Sequence, residues 1–434
     1  MNDEHFVVLG VARPRTSWLG EVGHWANSSM LPIEFIRCVS IDEARSRLLS
    51  DHRYSALLLG EDCVGVDRDI IETARDARCS PIVVTDTNAH RDWENLGAVC
   101  TLTQPVTPET LLAALRDHAI GIDRRSTPAS PAPKADDATA GCLIAVLGAG
   151  GTGTSTTAIA VASHFASLAS TTHGSAQRHV ALIDASLNAD QALLHDLGDV
   201  VPGLQELVDL HRTTNPSPDE VRNHFWFSPR HGYDVLPGLR RHRDWSTLRR
   251  RTTLSALNSI HRSYDIVVAD VDSDFEGETE TGSIDVEDRN LLARELATNA
   301  DIIVLTTRAG VSGLSRSLQI LRDLIELGID TERVLLVVLG APRSTRQRSE
   351  LSRTIRRLLQ EAAPTHSIPT PVMVPIRRDL EPFIHDGTPP PRSSLGSITS
   401  AVSELHQQLD PTRTHRSFQS TPIAVIPGHL GRTA

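Results

Sequence analysis

Residues 148–155 read Gly-Ala-Gly-Gly-Thr-Gly-Thr-Ser, directly after the apolar run Leu143 to Leu147 and directly before the apolar stretch Thr157 to Leu168. Glycines packed this closely break both helix and strand, so the chain turns here, with a strand leading in and a helix leading out. In such a turn the backbone N–H groups can point inward around phosphate oxygens, and the helix N-terminus adds a favourable dipole. The candidate anion-binding residues are therefore Gly148, Gly150, Gly151, Thr152, Gly153, Thr154, Ser155 and Thr156, with Ser155 placed where a hydroxyl can ligate magnesium. A glycine-rich turn between a strand and a helix is weak evidence by itself, and the rest of the chain has to support it.

The same alternation continues on both sides. Beyond the turn, Val180 to Ile183, Asp265 to Ala269, Asp301 to Thr306, Val334 to Leu339 and Pro371 to Val374 read as strands, with apolar-patterned helices such as Gly313 to Leu327 between several of them. Before it, Phe6 to Leu9, Ile33 to Cys38, Ala56 to Leu59, Pro81 to Thr85 and Val99 to Leu102 alternate with helix-like stretches, among them Ile41 to Leu49 and Pro108 to His118. Strands alternating with helices imply parallel sheets covered on both faces. The expected fold class is α/β, with two doubly wound parallel-sheet domains over residues 1–120 and 141–409. A Pro/Ala-rich stretch, residues 121–140, reads as a flexible linker, and residues 410–434, with three prolines and mixed polar residues, read as a largely disordered tail.

Composition narrows the function classes. Lys+Arg 43 against Asp+Glu 54 gives a net charge of −11, which disfavours whole-molecule attraction to nucleic acid or anionic lipid. Five scattered cysteines with no CxxC pair fit neither a disulfide framework nor a zinc site. The acidic start lacks a signal-peptide pattern and no apolar run is long enough to cross a bilayer, so the expected location is cytoplasmic. Lys134, in the linker, is the only lysine.

The segment Ala149 to Thr156 resembles the deviant Walker A motif of the MinD/ParA family, K-G-G-x-G-K-[ST]-[ST], with Ala149 and Thr154 in place of both lysines. Ala181 to Ser186 resembles the family's L-[IV]-D-x-D, with Asp184 kept and the second aspartate replaced by Ser186. Tyr264 to Asp270 resembles its Walker B strand. Gly203-Leu204, then Val235 to Gly238, then Val374-Pro375 through Gly387 to Pro389 follow the family's order. The resemblance covers roughly residues 141–409 and implies a P-loop NTPase fold, with Ser155, Asp184 and Asp270 as the residues that would hold magnesium.

Residues 5–120 resemble, in layout, a response-regulator receiver domain. The acids and lysine of a working receiver are missing: the first strand runs into Val11-Ala12, the third ends Leu59-Gly60, and Gln104-Pro105 follows the fifth. Thr85 matches the family's hydroxyl position. A degenerate receiver before a MinD-like domain is the layout of the CpaE-like group, which includes the septum-site-determining (Ssd) branch. That likeness implies a regulatory or localisation protein working with protein partners of a division machine or of Tad-type pilus and secretion assembly. Because Pro411 to Ala434 has neither a basic amphipathic helix nor a lipidation site, membrane, septum or pole is expected to be reached only through a partner.

Without the lysines, ATP and magnesium binding is expected to be weak. Losing one charge-assisted contact weakens phosphate binding by about one to two decades, and losing one preorganised donor slows chemistry by about 10²- to 10³-fold. A replacement cation would have to be an arginine, such as Arg308 or Arg343 after the fourth and fifth strands. The acidic run Asp272 to Asp288 reads as a solvated, disordered insertion. The arginine clusters Arg240 to Arg251 and Arg343 to Arg357 read as solvated faces, against a rival ParA-like DNA-binding role. Any homodimer is expected to form without being driven by ATP. A slow ATPase with an atypical loop is the remaining alternative.

Overall fold

A computed structural model describes residues 5–13, 16–28, 30–49, 52–86, 91–121, 141–171, 179–375, 383, 386–408 and 418. Among them, the N-terminal aliphatic runs pair as β1 (Phe6–Val11), β2 (Ile33–Arg37), β3 (Ala56–Gly60), β4 (Ser80–Thr85) and β5 (Cys100–Thr103), all parallel, in the order β2-β1-β3-β4-β5. Alternate side chains go to opposite faces, as the strand period requires. Val8, Ala56 and Leu58 join Trp18, Leu111 and Leu115 on one side, while Leu9, Leu57 and Leu59 meet Ile70 and Ile71 on the other. Helix starts follow local chemistry: the Ser40 hydroxyl accepts from Glu43 N ahead of Ile41–Leu48, and Thr107 caps Pro108–His118 with proline in its first turn.

The second compact unit carries β6 (Cys142–Gly148), β7 (Val180–Ala185), β8 (Trp226–Ser228), β9 (Tyr233–Leu236), β10 (Ile266–Val271), β11 (Ile302–Arg308), β12 (Val334–Ala341) and β13 (Val372–Pro375). They form one sheet in the order β13-β12-β11-β6-β10-β7-β9-β8, parallel throughout except for the β8–β9 hairpin. All six expected strands are present. The hairpin is an addition, and its β9 extends the sheet beside β7. Central strands such as β6 and β10 are apolar almost throughout because helices cover both faces. The chain runs from β6 outward to β7 and β9, returns to β10, and then builds β11 to β13 on the other side. β6 therefore lies where the winding reverses, and in open α/β sheets ligands bind beyond the carboxyl ends of the strands at that point.

One expectation is overturned. The acidic run is an ordered segment containing the short helices Glu278–Thr281 and Ile284–Arg289. Arg250 bridges Glu287 (2.9 Å) and Glu295 (2.7 Å), Arg289 pairs with Asp274 (2.6 Å), Asn290 Nδ2 donates to Asp274 (2.9 Å), and Arg294 donates to the Phe275 carbonyl beside the buried Phe275 ring. A count of acids alone overlooks the arginines that meet them. The linker from residue 122 and the tail lie outside the described residues, apart from Phe418. That ring is buried, and its backbone N and O are both held by the Asn258 amide at 2.9 and 2.7 Å.

Candidate functional site

β6 ends at Gly148, which lies directly opposite Thr306 of β11. A side chain at residue 148 would collide with the Thr306 hydroxyl, so the close approach of the two strands requires glycine. The turn then uses two left-handed glycines, Gly151 (φ 76°) and Gly153 (φ 89°), before the helix Thr154–Thr171 begins. Thr306 holds the turn from the side: its hydroxyl lies 2.9 Å from both Thr152 Oγ1 and Thr154 Oγ1 and donates to Leu147 O at 3.2 Å. Thr152 is buried and also bonds Ala149 O at 2.7 Å. Ala149 is half-buried against the core. Thr154, which stands at the second lysine position of the motif, thus directs its hydroxyl at β11.

On the neighbouring strands, Asp184 of β7 and Asp270 of β10 are register partners. Both are almost fully buried. Burial raises the Asp184 carboxyl well above its ordinary value, and the negative charge of Asp270 adds to that. Burial likewise pushes Asp270 up to about 6, against hydrogen bonds from Gln191 and Ser155 that pull it down. Gln191 ties the pair together. Its backbone N donates to Asp184 Oδ2 at 2.8 Å, its Nε2 donates to Asp270 Oδ2 at 2.7 Å and to Ser155 O at 3.4 Å, and its buried Oε1 has no hydrogen-bond partner among the described residues. Ser186 Oγ donates to Asp184 Oδ1 at 3.1 Å. Behind Gln191, His195 bonds its backbone carbonyl and the Tyr233 hydroxyl, both at 2.8 Å; burial lowers the His195 pKa to about 4 and keeps the ring neutral.

The chain matches no family model and no curated protein sequence. Its fold is similar to that of MinD/ParA-type ATPases of known structure. A ParA family ATPase from Chlorobium tepidum TLS is 14% identical with a TM-score of 0.45, over 62% of this chain and 100% of that one. The cell division ATPase MinD of Pyrococcus furiosus is 16% identical with a TM-score of 0.45, over 61% of this chain and 99% of that one. The septum site-determining protein MinD of Pyrococcus horikoshii OT3, in complex with Mg-ADP, is 16% identical with a TM-score of 0.43, over 62% of this chain and 96% of that one.

The fold brings the nominated residues together: Gly148 to Thr156 form one turn and helix start, and Ser155, Asp184 and Asp270 converge beside it. A hydroxyl and two carboxylates, with the orphaned Gln191 carbonyl oxygen next to them, are hard oxygen donors that suit a small divalent cation. Among the described residues no group of three or more His, Cys, Asp or Glu gathers to hold a metal. With two carboxylates and a hydroxyl, the donor types present would suit a magnesium ion that keeps several of its waters. Room for a phosphate exists, since side chains built on Gly150 and Gly151 would meet nothing within 4 Å.

Several arginines of the two clusters are paired with acids away from the turn. Arg240 pairs with Glu206 (2.8 Å) and Arg250 with the acidic segment. Arg346 and Arg357 pair along their own helix, Thr345–Ala362, with Glu350 and Glu361. Sequence reasoning missed Gln191 and Thr306, the two residues that fix the site. Gln191 follows a non-periodic stretch. Thr306 was legible only as the last residue of a strand.

In the N-terminal unit, Glu61 accepts from Asp86 N (2.6 Å) and Trp93 Nε1 (3.5 Å), and Asp62 faces Arg13 at 3.9 Å. The acids just past β3 are thus engaged with neighbouring groups.

Proposed function

We propose that this chain is a regulatory or positioning protein of the MinD/ParA type, in the CpaE-like or septum-site-determining branch, that acts through protein partners and has a phosphate loop without efficient hydrolysis. One observation carries the reading. A buried carboxylate pair stands beside a glycine turn, while Thr154, at the position that would carry a phosphate-binding lysine, has its hydroxyl spent on Thr306 at 2.9 Å.

Within the loop itself, backbone N–H groups and hydroxyls would meet the phosphate, with no cationic side chain among them. Ser155, Asp184 and Asp270 would hold magnesium, which supplies charge neutralisation at the phosphate when bound. Ser186 donates to Asp184, so it fixes the carboxylate and offers no second acid to position water. The N-terminal unit serves as a docking pseudo-receiver in a cytoplasmic protein that partners recruit to a septum, pole or pilus machine. Calorimetry should give ATP affinity no better than high micromolar and negligible turnover. Pull-downs from the native cell should lose the partner when residues 1–120 are deleted. Sub-micromolar, magnesium-dependent ATP binding with steady hydrolysis would overturn the reading.

A slow ATPase is the second reading, favoured by Arg308, whose Nε lies 2.8 Å from Gly151 O. It requires magnesium-dependent turnover that Asp270→Asn abolishes.

A further inference from the structure

We infer that Arg308, the last residue of β11, supplies from outside the loop the positive charge that the loop itself lacks, and that the ligand it meets is a polyphosphate. The inference rests on the glycine turn being a phosphate site, as proposed above. Neither lysine nor arginine occurs between Cys142 and Thr171. β11 lies beside β6 with Thr306 opposite Gly148, and Arg308 follows two residues later on the same face of the strand. Its Nε donates to Gly151 O at 2.8 Å, so the guanidinium is parked on the turn.

Arg308 is well placed to act there. Its backbone is set by the sheet and by the turn behind it: Ala309 N bonds Leu339 O at 2.9 Å, and Gly310 N bonds Arg308 O at 2.9 Å. Of the guanidinium nitrogens only Nε is engaged among the described residues, and no carboxylate pairs with Arg308 there. The two terminal nitrogens remain for a ligand, in the planar fork that matches two phosphate oxygens. The side chain is exposed, and the space above Gly150 and Gly151 is open. A separate observation also points to a ligand. The Gln191 Oε1 atom is fully buried and has no hydrogen-bond partner among the described residues, on the same amide whose Nε2 donates to Asp270 Oδ2 and Ser155 O, and a hydrated cation accompanying a polyphosphate would satisfy it.

The test is calorimetric titration of the full chain with magnesium tripolyphosphate and with magnesium ATP at low salt, alongside melting curves for each variant. Arg308→Ala should weaken tripolyphosphate binding by about tenfold to a hundredfold, the range expected for a lost charge-assisted contact. Arg308→Lys keeps the charge and should lose less. Arg357→Ala, near the other end of the helix Thr345–Ala362 and paired there with Glu361, should change nothing, and melting temperatures should stay level. Wild-type affinity in Arg308→Ala overturns the inference. So do equal losses in the Ala and Lys variants with a lowered melting temperature, which would make Arg308 a structural pin. Gly150→Asp, which sets a carboxylate in the open space above the turn, tests the underlying reading separately. If it leaves binding intact, or if the wild type binds no tripolyphosphate at millimolar concentration, the turn is not the phosphate site and both fall. If it abolishes binding while Arg308→Ala does not, the inference about Arg308 alone is overturned.

Discussion

Asp270 and Asp184 are costly residues to bury side by side, and the hydrogen bonds they receive from Gln191, Ser186 and Ser155 offset that cost only in part, since burial still raises both. Asp270 has a folded pKa of about 6, above its ordinary 3.8, so the folded state holds the proton more tightly than the unfolded chain does. Its contribution to stability is therefore fully present below about pH 4 and is lost as the pH rises toward 6, a swing on the order of 3 kcal/mol. Asp184, raised in the same direction, deepens that loss. Asp270→Asn removes the ionisation while keeping an oxygen for Gln191 Nε2. The variant should unfold at higher denaturant than wild type at pH 7.5, with the gap closing near pH 4. Magnesium with tripolyphosphate should raise the wild-type midpoint at pH 7.5 by more than it raises that of the variant. A wild type whose stability rises with pH through this window would show that the pair is not protonated as its burial implies.

At the scale of elements, the sheets were legible and their bracing was not. Each apolar run between turn signals became a strand, because a strand buried on both faces needs little except continuous aliphatic residues. The β8–β9 hairpin escaped notice because Tyr233 to Leu236 is short and interrupted by Asp234, which is held by the Tyr264 hydroxyl at 3.0 Å, a contact that no local pattern announces. The acidic segment was misread for a related reason. Three of its acids pair with arginines outside it: Glu287 with Arg250, more than twenty residues earlier in the chain, and Asp274 and Glu280 with Arg289 and Arg294 just after it. Tertiary pairing of this kind leaves no periodic trace. The segment also touches the site: Leu187 N donates to Asp272 at 2.7 Å and Ser273 Oγ to Gly148 O at 3.2 Å. Arg250→Ala should leave Glu287 and the half-sheltered Glu295 without their cation. Amide exchange over residues 278–289 should then accelerate by about tenfold or more, while exchange in β6 and β10 stays near wild type. Unchanged exchange in that segment would show that the ion pairs are not what orders it.

At the scale of the whole molecule, the question is whether ATP can make this chain pair with itself. In the MinD/ParA family that the sequence resembles, the first lysine of the loop reaches across to the partner's nucleotide, so the dimer is held by a contact that exists only with triphosphate bound. Here that position is Ala149, whose methyl is half-buried against the core of its own unit. It neither crosses an interface nor neutralises phosphate. The one arginine at the loop does not replace it, because the Arg308 Nε is tied to Gly151 O of the same chain at 2.8 Å. A charge held in cis stabilises bound phosphate equally in monomer and dimer. A ligand shifts an equilibrium only by its differential affinity for the two states, and equal affinity shifts nothing however tightly the ligand binds. Sedimentation of the full chain should accordingly give the same monomer-to-dimer distribution with and without magnesium ATP, and Arg308→Ala should leave that distribution unchanged even where it weakens nucleotide binding. An ATP-dependent shift to dimer that disappears in Arg308→Ala would mean that the guanidinium leaves Gly151 and reaches the partner. The chain would then be a nucleotide-driven switch, and the reading of it as a partner-directed regulator would have to be given up.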